Sequence, residues 1–309
     1  MKYSFLFPGQ ASQQVGMGYD FFQETEIGKK YFYSANEVLN YDIQDIIFNG
    51  PEDVLKQTQY TQPAIFIVSA IVCDTLKSKQ INLNAAAGHS LGEYSALFAA
   101  DVFSFTTGLS LVKVRAENMH NAGKISNGTM AAIIGISSQD VINICNEVVT
   151  EGIVVAANFN APNQTVISGN VEAVKKAISI AEDSGALKTI LLNVSGAFHS
   201  PLMQPAREAL AEKLNSVEIM NAKVPVFANF SANPVISADD IRGALLSQLE
   251  MPVLWYKTIQ NISESNHSTF LEVGPGKVLQ GLNRRIDRSL KTQSIGNLED
   301  LNELEYVSA

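Results

Sequence analysis

The stretch Asn84-Ala85-Ala86-Ala87-Gly88-His89-Ser90-Leu91-Gly92-Glu93-Tyr94 decides the fold. Its small-residue start, over 84–89 and broken by glycine, predicts a short buried parallel strand, and 93–100 has helical composition. Strand, sharp turn, helix is the context in which G-x-S-x-G carries chemistry. The turn lifts the Ser90 hydroxyl out of the sheet, and the following helix aims backbone N–H groups at a developing oxyanion. Gly88 and Gly92 leave room for the turn and for a substrate. Taken alone, the same five residues also read as a structural Gly-rich turn.

Outward from this unit, 2–7 is an apolar, aromatic run stopped by Pro8-Gly9, a strand feeding a tight loop. Gln62-Pro63 starts a helix over 64–77 with proline at its first position, and a second helix covers 105–120. The glycine-flanked segment 123–128 has linker composition. Beyond it the pattern runs strand 129–136, helix 139–149, strand 153–158, strand 164–168, helix 171–185 and strand 188–194, the βαββαβ order of a ferredoxin-like unit. Alternation then resumes with helix 203–215, strand 224–229, helix 239–249, strand 268–273 and, after Gly274-Pro275-Gly276, helix 278–288. The acidic stretch 299–305 reads as a solvated helix end. The expected class is α/β. A large domain over 1–125 and 198–309, with a mainly parallel sheet, flanking helices and an α/β-hydrolase-like core, carries an inserted ferredoxin-like small domain over 126–197.

A chain of 309 residues that is 46% hydrophobic and 17% charged buries a large core, so a folded catalytic body is expected. Cys73 and Cys145 lie in apolar helical surroundings without CxxC spacing, which suits core packing in a reducing compartment and excludes a disulfide framework or a zinc site. The apolar N-terminal run is too short for a signal peptide, and 64–73 is about half of what a bilayer-spanning helix needs. A cytoplasmic protein is expected. The formal net charge of −9 disfavours nucleic acid and anionic membrane as partners.

A serine hydroxyl needs a base, and four histidines are available. His267 lies in a polar stretch that reads as exposed loop, and His120 ends a predicted helix, where a cation suits the macrodipole. His89 neighbours Ser90 on a strand-to-turn element, so the two side chains point apart and His89 reads as a packing or hydrogen-bonding residue. His199, in Gly196-Ala197-Phe198-His199-Ser200-Pro201, remains as the base. No carboxylate flanks it closely, so a backbone carbonyl is one way to hold its ring.

By this point the chain resembles the malonyl-CoA:acyl carrier protein transacylases of fatty acid synthesis and the acyltransferase domains of polyketide synthases. The resemblance spans nearly the whole chain. It is carried by Phe7-Pro8-Gly9-Gln10-Ala11-Ser12-Gln13 with Gly16-Met17-Gly18, by Thr61-Gln62-Pro63-Ala64, and by the Ser90 motif extended to Glu93-Tyr94. Arg115, Asn160-Ala161-Pro162-Asn163-Gln164, Ile167-Ser168-Gly169, His199 and Glu272-Val273-Gly274-Pro275-Gly276 complete it. The resemblance implies that Ser90 is the acylated nucleophile and His199 its base and later acid. It implies that the Gln10 and Leu91 amides form the oxyanion hole, and that the Gln248 backbone carbonyl orients His199. It further implies that Arg115 pairs with the malonyl carboxylate, with Phe198 and His89 also contacting substrate.

A bidentate guanidinium suits a carboxylate in a partly dehydrated pocket. Arg115 as a helix-surface residue paired with Glu117 or Glu93 is the alternative. Ala11 stands where many relatives have glycine, which alters the loop if φ is positive there, and Ser195-Gly196-Ala197 also varies within the family.

The implied reaction is a ping-pong transfer from malonyl-CoA to the pantetheine thiol of an acyl carrier protein, without metal or redox cofactor, by a monomer. Carrier proteins are typically acidic, so docking on this acidic chain needs a local basic patch drawn from Lys113, Lys124, Lys188, Lys277, Arg284 and Arg285. The rival readings are a discrete acyltransferase serving a polyketide synthase, a serine thioester hydrolase, and a non-catalytic carrier-protein docking module.

Overall fold

The structure, a computed structural model, describes residues 3–265 and 269–304. His267 and the end of the acidic stretch, Glu305, lie outside the described residues. A six-stranded sheet is built from β1 (Tyr3–Phe7), β2 (Leu83–Gly88), β7 (Val226–Phe227), β8 (Pro234–Val235), β9 (Thr269–Val273) and β10 (Lys291–Ile295) in the order β10-β9-β1-β2-β7-β8. Every pairing is parallel except β7 with β8. The architecture is therefore mixed α/β with a mainly parallel sheet, and helices cover both its faces.

Strand alternation explains the covering. Phe5, Phe7, Ala86, Leu271 and Val273 join the core that contains the helix Thr58–Ser78, while Leu6, Ala85, Ala87 and Phe270 pack with Trp255, Ile259, Leu279 and Leu282 of the helices Trp255–Glu264 and Val278–Ile286. Glu272 ties the last of these helices to the sheet, its carboxylate accepting from the N–H groups of Leu279 and Gln280 and from the Ser294 hydroxyl. A carboxylate at a helix N-terminus satisfies donors that have no partner within the helix.

A second, four-stranded sheet holds β3 (Gly128–Ile134), β4 (Val154–Ala161), β5 (Gln164–Asn170) and β6 (Lys188–Leu191) in the order β4-β5-β3-β6, with every neighbour antiparallel. The helices Ser138–Glu147 and Val171–Asp183 pack on one face, around Ala131, Ile133, Ile167 and Val174. The alternate residues Met130, Ala132 and Val166 face the opposite way, into a cavity shared with the large sheet. A main-chain bridge between Asn158 and Val253 ties β4 to the segment that leads into the helix Trp255–Glu264.

Several expectations change. The segment 123–128 is no linker: the helix Phe105–Ser126 runs through it and Asn127 ends it with a φ of 44°. Gly123 is there for packing, because a Cβ would overlap the Ser195 carbonyl of the returning chain. That extension also leaves His120 inside the helix and buried rather than at its end. Pro63 sits within a helix that already begins at Thr58. The strand expected over 224–229 shrinks to Val226–Phe227, since Pro225 offers no N–H and the Asn229 N–H goes to a carboxylate instead. β6 stops at Leu191, after which Val194 N–H turns back onto the Leu192 carbonyl and the chain enters the cavity wall. The helix Trp255–Glu264 and β10 were not expected, nor were the four helices Tyr19–Glu24, Glu26–Leu39, Ile43–Asn49 and Glu52–Leu55.

Candidate active site

β2 ends at Gly88, the next helix (Gly92–Ala99) begins four residues later, and Ser90 stands at the apex with a φ of 51°. A non-glycine residue in the left-handed region is strained, and such strain persists where surrounding contacts over-determine it. Those contacts are present. A Cβ on Gly88 would overlap Gly92, and one on Gly92 would overlap the Phe7 carbonyl, so the turn is pressed against β1. Asn229 straps it from the other side, its Oδ1 accepting from Ser90 N–H at 2.7 Å and its Nδ2 donating to the Gly88 carbonyl at 2.6 Å.

Ser90 Oγ lies 2.7 Å from His199 Nε2, and His199 Nδ1 lies 2.8 Å from the Gln248 main-chain oxygen. With Nδ1–H donating to that carbonyl, Nε2 carries the lone pair that faces the serine hydroxyl. Burial, then the nearby Arg115 charge, pushes the His199 imidazole down to about 3, so the ring is neutral and able to accept a proton at neutral pH. His199 also has positive φ, 57°. Both members of the pair are thus held in backbone conformations that L residues seldom adopt.

Arg115, from the helix Phe105–Ser126, is fully buried. Its Nη1 donates to Gln62 Oε1 at 2.6 Å, and its Nη2 donates to Gln248 Oε1 at 2.8 Å and to Ser90 Oγ at 3.1 Å, while the guanidinium lies 5.5 Å from the Tyr94 ring centroid. It is therefore no surface residue, and among the described residues it makes no direct ion pair with Glu93 or Glu117. Gln248, the last residue of the helix Ala238–Gln248, reaches further than its carbonyl: its Nε2 donates to the Ser90 carbonyl at 2.9 Å and to Glu93 Oε2 at 2.8 Å. Glu93 Oε2 also accepts from Asn229 N–H at 2.9 Å. Burial pushes the Glu93 carboxyl up to about 7, against the opposing pull of the Gln248 and Asn229 bonds and the Arg115 charge. Gln62, Asn229 and the roles of Glu93 and the Gln248 side chain escaped the sequence reading.

A cavity of about 540 Å³ opens over Ser90. Gln10, His89, Leu91, Phe198 and His199 line it from the large-sheet side, and Met130, Ala132, Asn160 and Val166 from the small sheet. His89 Nε2 sits 2.8 Å from Asn160 Oδ1, so this ring links the two sheets, and burial pulls its pKa below the ordinary imidazole value. The Gln10 and Leu91 N–H groups have no hydrogen-bond partner among the described residues, whereas Ser90 N–H is occupied by Asn229. Ala11 has a φ of 83°, so the loop that presents Gln10 keeps the turn that glycine favours and carries strain at this alanine. Its N–H donates to Gln13 Oε1 at 2.8 Å.

A serine on a strand-to-helix elbow, a neutral imidazole against its hydroxyl, a guanidinium behind it and two open amides over an adjoining cavity form an acyl-transfer arrangement. The family described as acyl transferase domain matches residues 4–299. The chain belongs to the acyl transferase domain family. Within this family it is 40% identical over 301 residues to the malonyl CoA-acyl carrier protein transacylase of Bacillus subtilis, covering 97% of this chain and 95% of that protein. The malonyl CoA-acyl carrier protein transacylase structure from Coxiella burnetii superposes with a TM-score of 0.95 at 37% identity, covering 98% of this chain and 96% of that one. A structure of a type II PKS acyl-carrier protein in complex with its malonyl-transacylase superposes with a TM-score of 0.94 at 37% identity over 98% of both chains. The chain is an acyltransferase of the malonyl CoA-acyl carrier protein transacylase group. No helix among the described residues is long and apolar enough to cross a membrane.

Proposed function

We propose that this acyltransferase carries a malonyl group from malonyl-CoA to the pantetheine thiol of an acyl carrier protein by way of a malonyl ester on Ser90. The observation that carries the reading is the position of Ser90 Oγ, 2.7 Å from the His199 imidazole and 3.1 Å from the Arg115 guanidinium. His199 Nε2 takes the hydroxyl proton as Oγ bonds to the thioester carbon, and the oxyanion is received by the N–H groups of Gln10 and Leu91. Collapse breaks the carbon–sulfur bond, and His199 returns its proton to the departing coenzyme A thiolate. The carrier thiol then gives its proton to His199, attacks the ester, and Ser90 recovers its hydroxyl hydrogen.

Arg115 stabilises the free carboxylate of the acyl chain once the Ser90 hydroxyl that it now binds has been converted to an ester. Gln62 lines the cavity and accepts from Arg115 Nη1, which supports an approach of that carboxylate from the cavity side. Phe198 and His89 wall the acyl chain. A thioester and a serine ester lie close in energy, so pocket shape and the exclusion of water, rather than driving force, separate transfer from hydrolysis.

The product enters fatty acid biosynthesis in this reading. The likeness to a transacylase bound to a type II PKS carrier favours a polyketide partner as the second one. Of the six basic candidates for carrier docking, Lys277 precedes the cavity residue Val278, and Arg285 donates to the cavity residue Gln164 at 2.6 Å. The molecule is read as a monomer and, on its two buried free thiols, as cytoplasmic. We assign 126–197 as a ferredoxin-like insertion into an α/β-hydrolase-like body over 1–125 and 198–309. The βαββαβ order with strand order β4-β5-β3-β6 and the elbow at the end of β2 support this division.

Incubation with radiolabelled malonyl-CoA and holo carrier protein tests the function. Label on the carrier well above free malonate is the expected result. Free malonate in excess would make the protein a thioester hydrolase.

A further inference from the structure

Gln248 meets every charged or reacting member of the site. Its main-chain oxygen pairs with His199 Nδ1, its Oε1 accepts from Arg115 Nη2, and its Nε2 donates to the Ser90 carbonyl and to Glu93 Oε2. An amide has a direction. Turned over, this one would set its NH2 against the guanidinium and its oxygen against the Ser90 carbonyl and the Glu93 carboxyl, exchanging three good contacts for three repulsive ones. Glu93 is the ionisable group that opposes such a flip.

Its own position is fixed from two sides. It lies in the first turn of the helix that follows the nucleophile, 1% exposed, and the Asn229 main-chain N–H is bound to the same Oε2. It contacts neither Ser90 Oγ nor His199, so any effect that it has on the reaction is transmitted through another side chain. A buried acid in an otherwise uncharged helix costs free energy unless it is hydrogen-bonded, and here its bonds go to one amide and one strap.

We propose that Glu93 is a positioning residue which fixes the direction of the Gln248 amide, and through it the Arg115 guanidinium, so that the site prefers an acyl chain ending in a carboxylate over a neutral one. This rests on the reading of Arg115 given above. What Glu93 supplies is an acceptor rather than a charge. Glutamine, which keeps an acceptor oxygen for both donors, serves in its place, whereas leucine removes the acceptor and aspartate draws it back by one methylene.

The test is transfer from malonyl-CoA and from acetyl-CoA, with kcat and KM measured separately, in the wild type, Arg115→Ala, Glu93→Gln, Glu93→Asp, Glu93→Leu and the Glu93→Leu/Gln248→Leu pair with its Gln248→Leu parent. Glu93→Leu is expected to lower the malonyl-to-acetyl ratio of kcat/KM by about tenfold, mainly through the malonyl KM, with acetyl transfer kept within about threefold. Glu93→Asp should fall between, Glu93→Gln should keep the ratio within about threefold, and Glu93→Leu should add no further loss once Gln248 is leucine. Equal losses for both substrates, a Gln variant as unselective as the Leu variant, or additive losses with Gln248→Leu would overturn the proposal. If Glu93→Leu does not fold, an unchanged ratio in Glu93→Asp overturns it. A ratio that falls in Arg115→Ala but holds in the Leu and Asp variants rejects the Glu93 proposal alone; a ratio untouched in Arg115→Ala rejects the reading of Arg115.

Discussion

The two sheets meet at one cavity and contribute different things to it. The turns and helices around the large, mainly parallel sheet carry Ser90, His199, Arg115, Gln248 and Glu93, joined by hydrogen bonds of 2.7 to 3.1 Å, two of them with strained backbone. The antiparallel sheet gives Met130, Ala132 and Val166, apolar side chains standing on alternate strand positions, with polar links from Asn160 to His89 and from Gln164 to Arg285. The large sheet builds chemistry from groups that are costly to bury, and the small one supplies a wall. Substitutions on the two sides should therefore fail in different ways.

The largest effect is expected at His199, the proposed base. His199→Ala should slow acylation by malonyl-CoA about 10³-fold or more, read as the rate of coenzyme A release in the first turnover. A loss below about tenfold would mean that another group accepts the serine proton. Because the His199 pKa is pushed down to about 3, wild-type acylation should not fall through protonation of this ring between pH 8 and pH 5.

Next comes the buried acid. Unfolded, Glu93 releases its proton near the ordinary value of 4.5, and folded, near 7. Between these values the folded chain holds the extra proton. The favourable contribution is therefore present below pH 4.5 and is lost as pH rises through 7, in total about 3 kcal/mol. Urea unfolding of wild type and Glu93→Gln from pH 5 to 8 measures the difference, and the wild type should lose stability relative to the variant as pH rises. Parallel curves would place the Glu93 titration outside this range.

The loop that presents Gln10 offers a smaller contrast. Ala11→Gly removes a side chain from a residue with φ of 83° and should raise unfolding stability by about 1 kcal/mol, with Ser90 acylation unchanged. The smallest effect is expected on the wall. Ala132→Val, which narrows the cavity from the small sheet, should raise the malonyl-CoA KM about threefold and leave kcat within about twofold. A large fall in kcat there would erase the distinction between wall and machinery.

What the sequence discloses follows the same division. Ser90 was legible because its chemistry is local: glycines, turn and helix lie within a few residues. His199 followed because only four histidines compete. The four strands of the small sheet and β1, β2, β7 and β9 of the large one were readable, β8 and β10 were not, and 123–128 misled because glycine there serves close packing against Ser195 rather than a break in the helix. The network behind Ser90 was not legible, since Gln62, Asn229 and Gln248 stand 53, 139 and 158 residues from the partners that they bind. One signal existed. Glu93 is the sole charged residue of its buried helix, Gly-Glu-Tyr-Ser-Ala-Leu-Phe-Ala, and a lone acid in such a setting asks for buried partners. Trp255, Ile259 and Ile262 likewise stand at helical spacing, the apolar face of the helix Trp255–Glu264.

Intact-mass measurement after brief mixing with malonyl-CoA, followed by peptide mapping, reaches the central claim most directly. One malonyl adduct, mapped to the peptide holding Ser90, absent in Ser90→Ala and discharged on adding holo carrier protein, is the predicted result. An intact enzyme that turns over malonyl-CoA without ever carrying that adduct would contradict it.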